Sequence, residues 1–128
     1  MSPDIKRKFD RVPVELHANF SVLVPEETFQ PIEQDCVVLD LSERGVLVVV
    51  RLDPQVYTHM LQKTRFCRIA FNDNSIGLPE KVTGKAVWIQ PQNMGEITNY
   101  RIGLFFEDCP VSVCEKLRQF VEDSRKTI

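Results

Sequence analysis

From position 12 to 24 the even residues are Val12, Val14, Leu16, Ala18, Phe20, Val22 and Val24, while Pro13, Glu15, His17, Asn19 and Ser21 fill most odd positions. A period of two belongs to a β-strand with one face on a core and the other toward water, because a helix would scatter that stripe around its circumference. Further apolar runs follow at 36–41, 46–50, 66–71, 82–89 and 100–106. Between them lie turn-forming stretches: Ser42-Glu43-Arg44-Gly45, Asn72 to Gly77, and Asn93-Met94-Gly95. The polar stretch 25–35, with two prolines and three glutamates, reads as a loop. Six strands of this kind predict an all-β sandwich or closed antiparallel barrel.

The chain changes period near its end. Val113, Cys114, Leu117, Phe120, Val121 and Ser124 fall at helical spacing with charged residues between them, which predicts an amphipathic C-terminal α-helix at about 110–125 closing one open side of the barrel. Ser112 with Glu115 fits a capping box, and Asp108 before Pro110 is an equal start signal. No repeat or second domain is visible, so the expected organisation is a flexible arm at 1–11 and a barrel domain at 12–128. The segment 52–63 is uninformative.

Composition narrows the function. A chain of 128 residues with net charge -2 lacks the basic excess of a general nucleic-acid or anionic-membrane binder. Cys36, Cys67, Cys109 and Cys114 form no C-x-x-C pair, and His17 and His59 add little, so no metal site is expected. Scattered cysteines beside apolar runs read as reduced thiols in a cytoplasmic protein. No apolar run approaches the roughly 18 residues of a membrane span, nor does an apolar segment follow the basic N-terminus, so neither insertion nor export is expected. Nothing assembles a catalytic triad, metal cage or phosphate-binding loop, and an enzyme is not expected. Trp88 reads first as core, although an exposed edge could stack a base. His17 lies on the polar face of the first strand.

The charge is unevenly placed. Lys6, Arg7, Lys8 and Arg11 against Asp4 and Asp10 give the first eleven residues a net +2, leaving -4 for the remainder. Arg7 and Arg11 stand four apart, so in a helical or turn-like arm they would face the same way. Arginine can fork onto phosphate oxygens or onto guanine O6 and N7. One Arg-x-x-x-Arg pair is unremarkable in itself, since roughly 0.6 is expected by chance at this arginine content. The second element is rarer: Asp40-Leu41-Ser42-Glu43-Arg44-Gly45 is a D-x-S-x-x-G pattern, for which roughly 0.014 matches are expected. Asp40 can accept from guanine N1–H and N2–H2, Ser42 can bond a phosphate or base edge, and Gly45 permits positive φ and close approach of a ligand to the backbone. Asp, Ser and Gly are also common in hairpin turns for conformational reasons alone, an explanation that stands level with the chemical one when the arm is ignored.

These two elements, with 28 residues between Arg11 and Asp40, resemble those of the PilZ domain family. The resemblance spans nearly the whole chain. Arg7-Lys8-Phe9-Asp10-Arg11 before Val-Pro-Val looks like the family's R-x-x-x-R entry to its first strand, and Asp40, Ser42 and Gly45 match its D-x-S-x-x-G. Lys85-Ala86-Val87-Trp88 and the stretch from Tyr100 to Phe106 resemble its last two barrel strands. The resemblance implies a six-stranded antiparallel β-barrel with a C-terminal helix that binds the bacterial second messenger cyclic di-GMP. Arg7, Arg11, Asp40, Ser42 and Gly45 are then the ligand-binding residues, with Lys6, Lys8 and Arg44 auxiliary and no other cofactor. Ligand would order the arm across the barrel and change the surface offered to a downstream protein, with a homodimer left open. Two alternatives stand beside this: a ligand-independent protein-interaction barrel, and a small barrel for single-stranded nucleic acid. The latter would need several exposed aromatics among its basic residues, and in the arm only Phe9 qualifies.

Overall fold

The computed structural model describes residues 11–23, 33–52, 66–72, 77–94, 97–107 and 109–126. Six strands, β1 (Val12–Val22), β2 (Gln34–Leu41), β3 (Gly45–Arg51), β4 (Phe66–Phe71), β5 (Lys81–Met94) and β6 (Ile97–Phe105), precede α1 (Val111–Lys126). All strand pairs are antiparallel, and the sheet closes into a barrel in the order β1-β2-β3-β6-β5-β4. Closure is made where β4 returns to β1, from Ala18 opposite Phe71 to Val22 opposite Cys67. A closed sheet leaves no unpaired edge to recruit another strand.

The alternation of β1 is realised over most of its length, with Val12, Ala18, Phe20 and Val22 buried and Pro13, Glu15 and His17 exposed, but Ser21, expected on the polar face, is buried. Phe20 packs with Val38, Val48, Ile69 and Ile102 in one core, to which each fully buried aliphatic side chain contributes roughly 1.5–3 kcal/mol. Leu117 of α1 belongs to the same cluster as Phe106, with Val113 and Phe120 packed against it, so the helix covers the core. The hairpin of β5 and β6 runs further than the apolar runs suggested, to Met94 opposite Ile97. A ladder needs backbone pairing, not apolar side chains, and can continue through polar residues.

The helix expected at about 110–125 is α1, and of its two start signals the Ser112–Glu115 capping box is not used. The Pro110 carbonyl accepts from Val113 N at 3.0 Å and Cys114 N at 2.9 Å, which makes Pro110 the N-cap. Ser112 therefore sits inside the first turn and cannot form the capping box; Asp108 lies outside the described residues. Glu115 turns instead to Arg118, 2.7 Å away, and Arg118 also donates to Glu122 at 2.8 Å. The hydrogen bond from Arg118, with its charge, lowers the Glu115 pKa. A lowered folded-state pKa contributes stability above the unfolded-state value and loses it as pH falls through the folded one. Acidification through the carboxylate range should thus weaken α1 in the wild type more than in Arg118→Ala, measured as amide exchange in the helix. Equal pH profiles would show that the pair does not support the helix.

No helix among the described residues is long and apolar enough to cross a membrane, and no cluster of three or more metal-capable side chains occurs among them.

Candidate functional site

Two β-bulges create the outer surface on which the site lies. In β2, Val38 pairs with Val48 but Asp40 with Leu47, so Leu39 is extra. In β5, Ala86 pairs with Leu104 but Trp88 with Gly103, so Val87 is extra. A bulge resets the alternation of a strand. Counting straight from Cys36 and Val38, Asp40 would point into the core; the bulge turns it outward and sends Leu41 inward to full burial. By the same shift Trp88 is turned out of the phase of Val82 and Ala86. The expectation of a core Trp88 is corrected: the residue is 41% exposed.

The consequence is a continuous row across the outer face. Pro13 stands opposite Asp40, Asp40 opposite Leu47, Leu47 opposite Gly103, and Gly103 opposite Trp88. The Trp88 indole lies directly on Gly103, where an added Cβ would overlap Nε1 and Cε2. Two residues along the strands, Gly45, Phe105, Lys85 and Phe66 make a parallel row. Arg101 follows Gly103 on the same face, opposite Val49 and Gln90, and its buried Nε finds no hydrogen-bond partner among the described residues.

The turn joining β2 to β3 is organised by Ser42, which is buried. Its Oγ accepts from Arg44 N at 3.1 Å and Gly45 N at 3.0 Å, while its backbone N donates to the Gly45 carbonyl at 2.9 Å. The hydroxyl thus replaces backbone partners that a tight turn cannot provide. The Arg44 carbonyl accepts from Phe106 N at 2.9 Å, tying the turn to the end of β6.

Gly45 is needed for a reason other than the expected positive φ. Among the described residues, the left-handed backbone is at Gly77, with φ 82°, and not at Gly45. A Cβ on Gly45 would stand 2.6 Å from the Leu104 carbonyl oxygen, backbone against backbone. Gly45→Ala is expected to cost about 1–3 kcal/mol of stability through overpacking, read from denaturant midpoints. An unchanged midpoint would mean that the β3–β6 contact yields freely.

Arg11 and Asp40, far apart in sequence, meet here, with Nη1 and Oδ2 3.9 Å apart. Their side chains are 48% and 23% exposed, and an ion pair so open to water stabilises a fold by only about 0–1 kcal/mol. Its significance lies in placement: it brings Arg11 to the turn. Ser42, Gly45 and the exposed Arg44 complete the junction. Lys6, Arg7 and Lys8 lie outside the described residues.

A model of the PilZ domain family matches residues 5–123. The chain belongs to the PilZ family. A search of curated proteins gave no match. Among solved structures, this PilZ domain is similar to the c-di-GMP-bound PilZ domain of YcgR from Escherichia coli, with a TM-score of 0.67, 16% identity, and coverage of 95% of this chain and 94% of that one. It is also similar to the inhibitor of motility MotI/DgrA from Bacillus subtilis, with a TM-score of 0.60, 16% identity, and coverage of 95% and 52%. The PlzA protein of Borreliella burgdorferi, in complex with c-di-GMP, gives a TM-score of 0.59 at 9% identity, with coverage of 96% and 54%. The chain thus spans about half the length of these last two proteins and nearly all of the first.

Proposed function

We propose that this PilZ domain is a receptor for cyclic di-GMP, which it holds on the outer face of the barrel between the arginine arm and the β2–β3 turn, without catalysing a reaction. The observation that carries this is the approach of Arg11 to Asp40, a cationic fork beside an acceptor on an exposed surface. The ligand offers both complements: phosphates and Hoogsteen edges for Arg7 and Arg11, and guanine N–H donors for Asp40. Ser42 and Gly45 hold the turn in shape, with the Gly45 backbone approachable. Lys6, Lys8 and Arg44 add auxiliary attraction that salt screens. Trp88 adds an aromatic surface in the same row, and Arg101 a buried donor in need of an acceptor. Two of the similar solved structures contain c-di-GMP, which supports this ligand over others of equal charge.

Calorimetric titration of the full chain with cyclic di-GMP, with GMP and a short oligonucleotide as controls, tests the assignment. Saturable binding of cyclic di-GMP alone is expected; preference for the oligonucleotide would replace it with a nucleic-acid barrel. Exposed Phe66 and Phe105, flanking Lys85 in one row, favour a second function as a ligand-independent protein-interaction barrel, which predicts no heat with any of the three. The signal arises when ligand orders the arm and alters the surface met by a downstream protein. Amide exchange across residues 1–12 should slow on adding ligand; unchanged exchange would leave binding without the switch.

A further inference from the structure

The N-cap at Pro110 fixes the positions of two cysteines that the ligand site does not use. Cys109 is the residue before the cap and Cys114 the fourth residue of the helix. In a helix N-terminus these two positions face each other, and an apolar pair placed there packs as a staple that sets the entry angle of the chain. Here both members are thiols. Cys114 Sγ donates to the Cys109 carbonyl at 3.6 Å, which places its sulfur against the residue before the cap. Both are free and only partly buried, and Cys109 packs against the barrel core. Cys36 and Cys67, by contrast, are buried inside the barrel wall.

We propose that Cys109 and Cys114 form a redox-modifiable pair, joined by a hydroperoxide into a disulfide that makes the staple of α1 covalent. Cys114 sulfur, having lost its proton, attacks the peroxide; an S–O bond forms, the O–O bond breaks, and the departing oxygen takes the proton to leave as water. Cys109 sulfur then attacks the sulfenic sulfur; the S–S bond forms, the S–O bond breaks, and the hydroxyl leaves with the second proton as a second water. Two thiols are oxidised by two electrons and one hydrogen peroxide is reduced to two waters. Burial, followed by the hydrogen bond and charge of Cys114, raises the Cys109 pKa, so the first attack is assigned to Cys114. Cys36 and Cys67 are buried in the barrel wall while Cys109 and Cys114 are partly open to solvent, so a peroxide reaches the staple and not the wall. The β6–α1 connection leaves the barrel at Phe106, whose N–H is held by the Arg44 carbonyl, so a closed staple fastens the helix next to the β2–β3 turn.

The test uses the full reduced chain treated with hydrogen peroxide, then unfolded, alkylated and digested with trypsin. Both cysteines fall in one peptide, 102–116, because no Lys or Arg lies between Arg101 and Lys116. That peptide should lose two hydrogens and escape alkylation, dithiothreitol should restore it, and Cys36 and Cys67 should remain alkylated. The oxidised chain should also melt a few degrees higher, an increase absent from Cys109→Ser and Cys114→Ser. Recovery of the wild-type peptide fully alkylated, or carrying sulfinic or sulfonic acid without the loss of two hydrogens, would overturn the proposal. So would a disulfide to Cys36, to Cys67 or between chains. The peptide readout on wild-type protein does not depend on the serine variants folding.

Discussion

Alanine at both Arg7 and Arg11 is expected to weaken cyclic di-GMP binding by about two to four decades, since each charge-assisted hydrogen bond contributes roughly 1.5–3 kcal/mol net. Either single replacement should cost about one to two decades on the same basis. The thermal midpoint should hardly move, because the Arg11–Asp40 pair is solvent-exposed and adds little to the fold. Two controls separate charge from geometry. Arg11→Lys keeps the charge but loses the planar fork, so it should recover only part of the affinity. Asp40→Asn keeps the shape but replaces one carboxylate oxygen with a donor, so it should reduce the preference for guanine over other bases. Measured by calorimetry, wild-type affinity in the double variant would remove the arm from the site and with it the proposed receptor geometry.

The strands were legible because burial on one face writes a period of two, and 66–71 was read to the residue as β4. The helix was legible for the parallel reason, from Val113 through Val121 at helical spacing. Its start just after Pro110 agrees with the expected 110–125, and of the two start signals the Ser112–Glu115 capping box is the one not used, because the Pro110 carbonyl already accepts from Val113 and Cys114. The Asp40, Ser42 and Gly45 pattern was visible as a motif, but the work of two of its members was not. Ser42 spends its hydroxyl on the Arg44 and Gly45 amides, and Gly45 is required by the Leu104 carbonyl on another strand. Neither fact can be read without knowing which strand is the neighbour. Trp88 was missed for the sharpest reason. An extra residue at Val87 is invisible in a string where every neighbour is apolar, and straight counting puts the indole in the core. The same holds for Asp40, whose in-phase position with Cys36 and Val38 would argue against exposure if Leu39 were not bulged. The strands step out of register at Pro13/Leu16, Val38/Asp40 and Ala86/Trp88, and sequence alternation fails at the last two, which supply the candidate site's acid and its aromatic.

Trp88→Ala is expected to weaken cyclic di-GMP binding by about one to two decades, because stacking of a base on an aromatic side chain contributes about 1–3 kcal/mol. The indole rests on Gly103, so its orientation is set by the absence of a side chain beneath it. Gly103→Ala places a Cβ where the ring now lies and must tip the indole off its seat. If Gly103 acts only through Trp88, the two substitutions share one loss: the double variant should bind no worse than Trp88→Ala alone. Additive losses would instead mean that Gly103 contacts the ligand or shapes the barrel independently. Because the chain has a single tryptophan, its emission reports the ring directly. Ligand should change that emission in the wild type, and Gly103→Ala should shift it before any ligand is added. Unaltered affinity in Trp88→Ala would leave the exposed indole outside the ligand site and confine recognition to the arm and the turn.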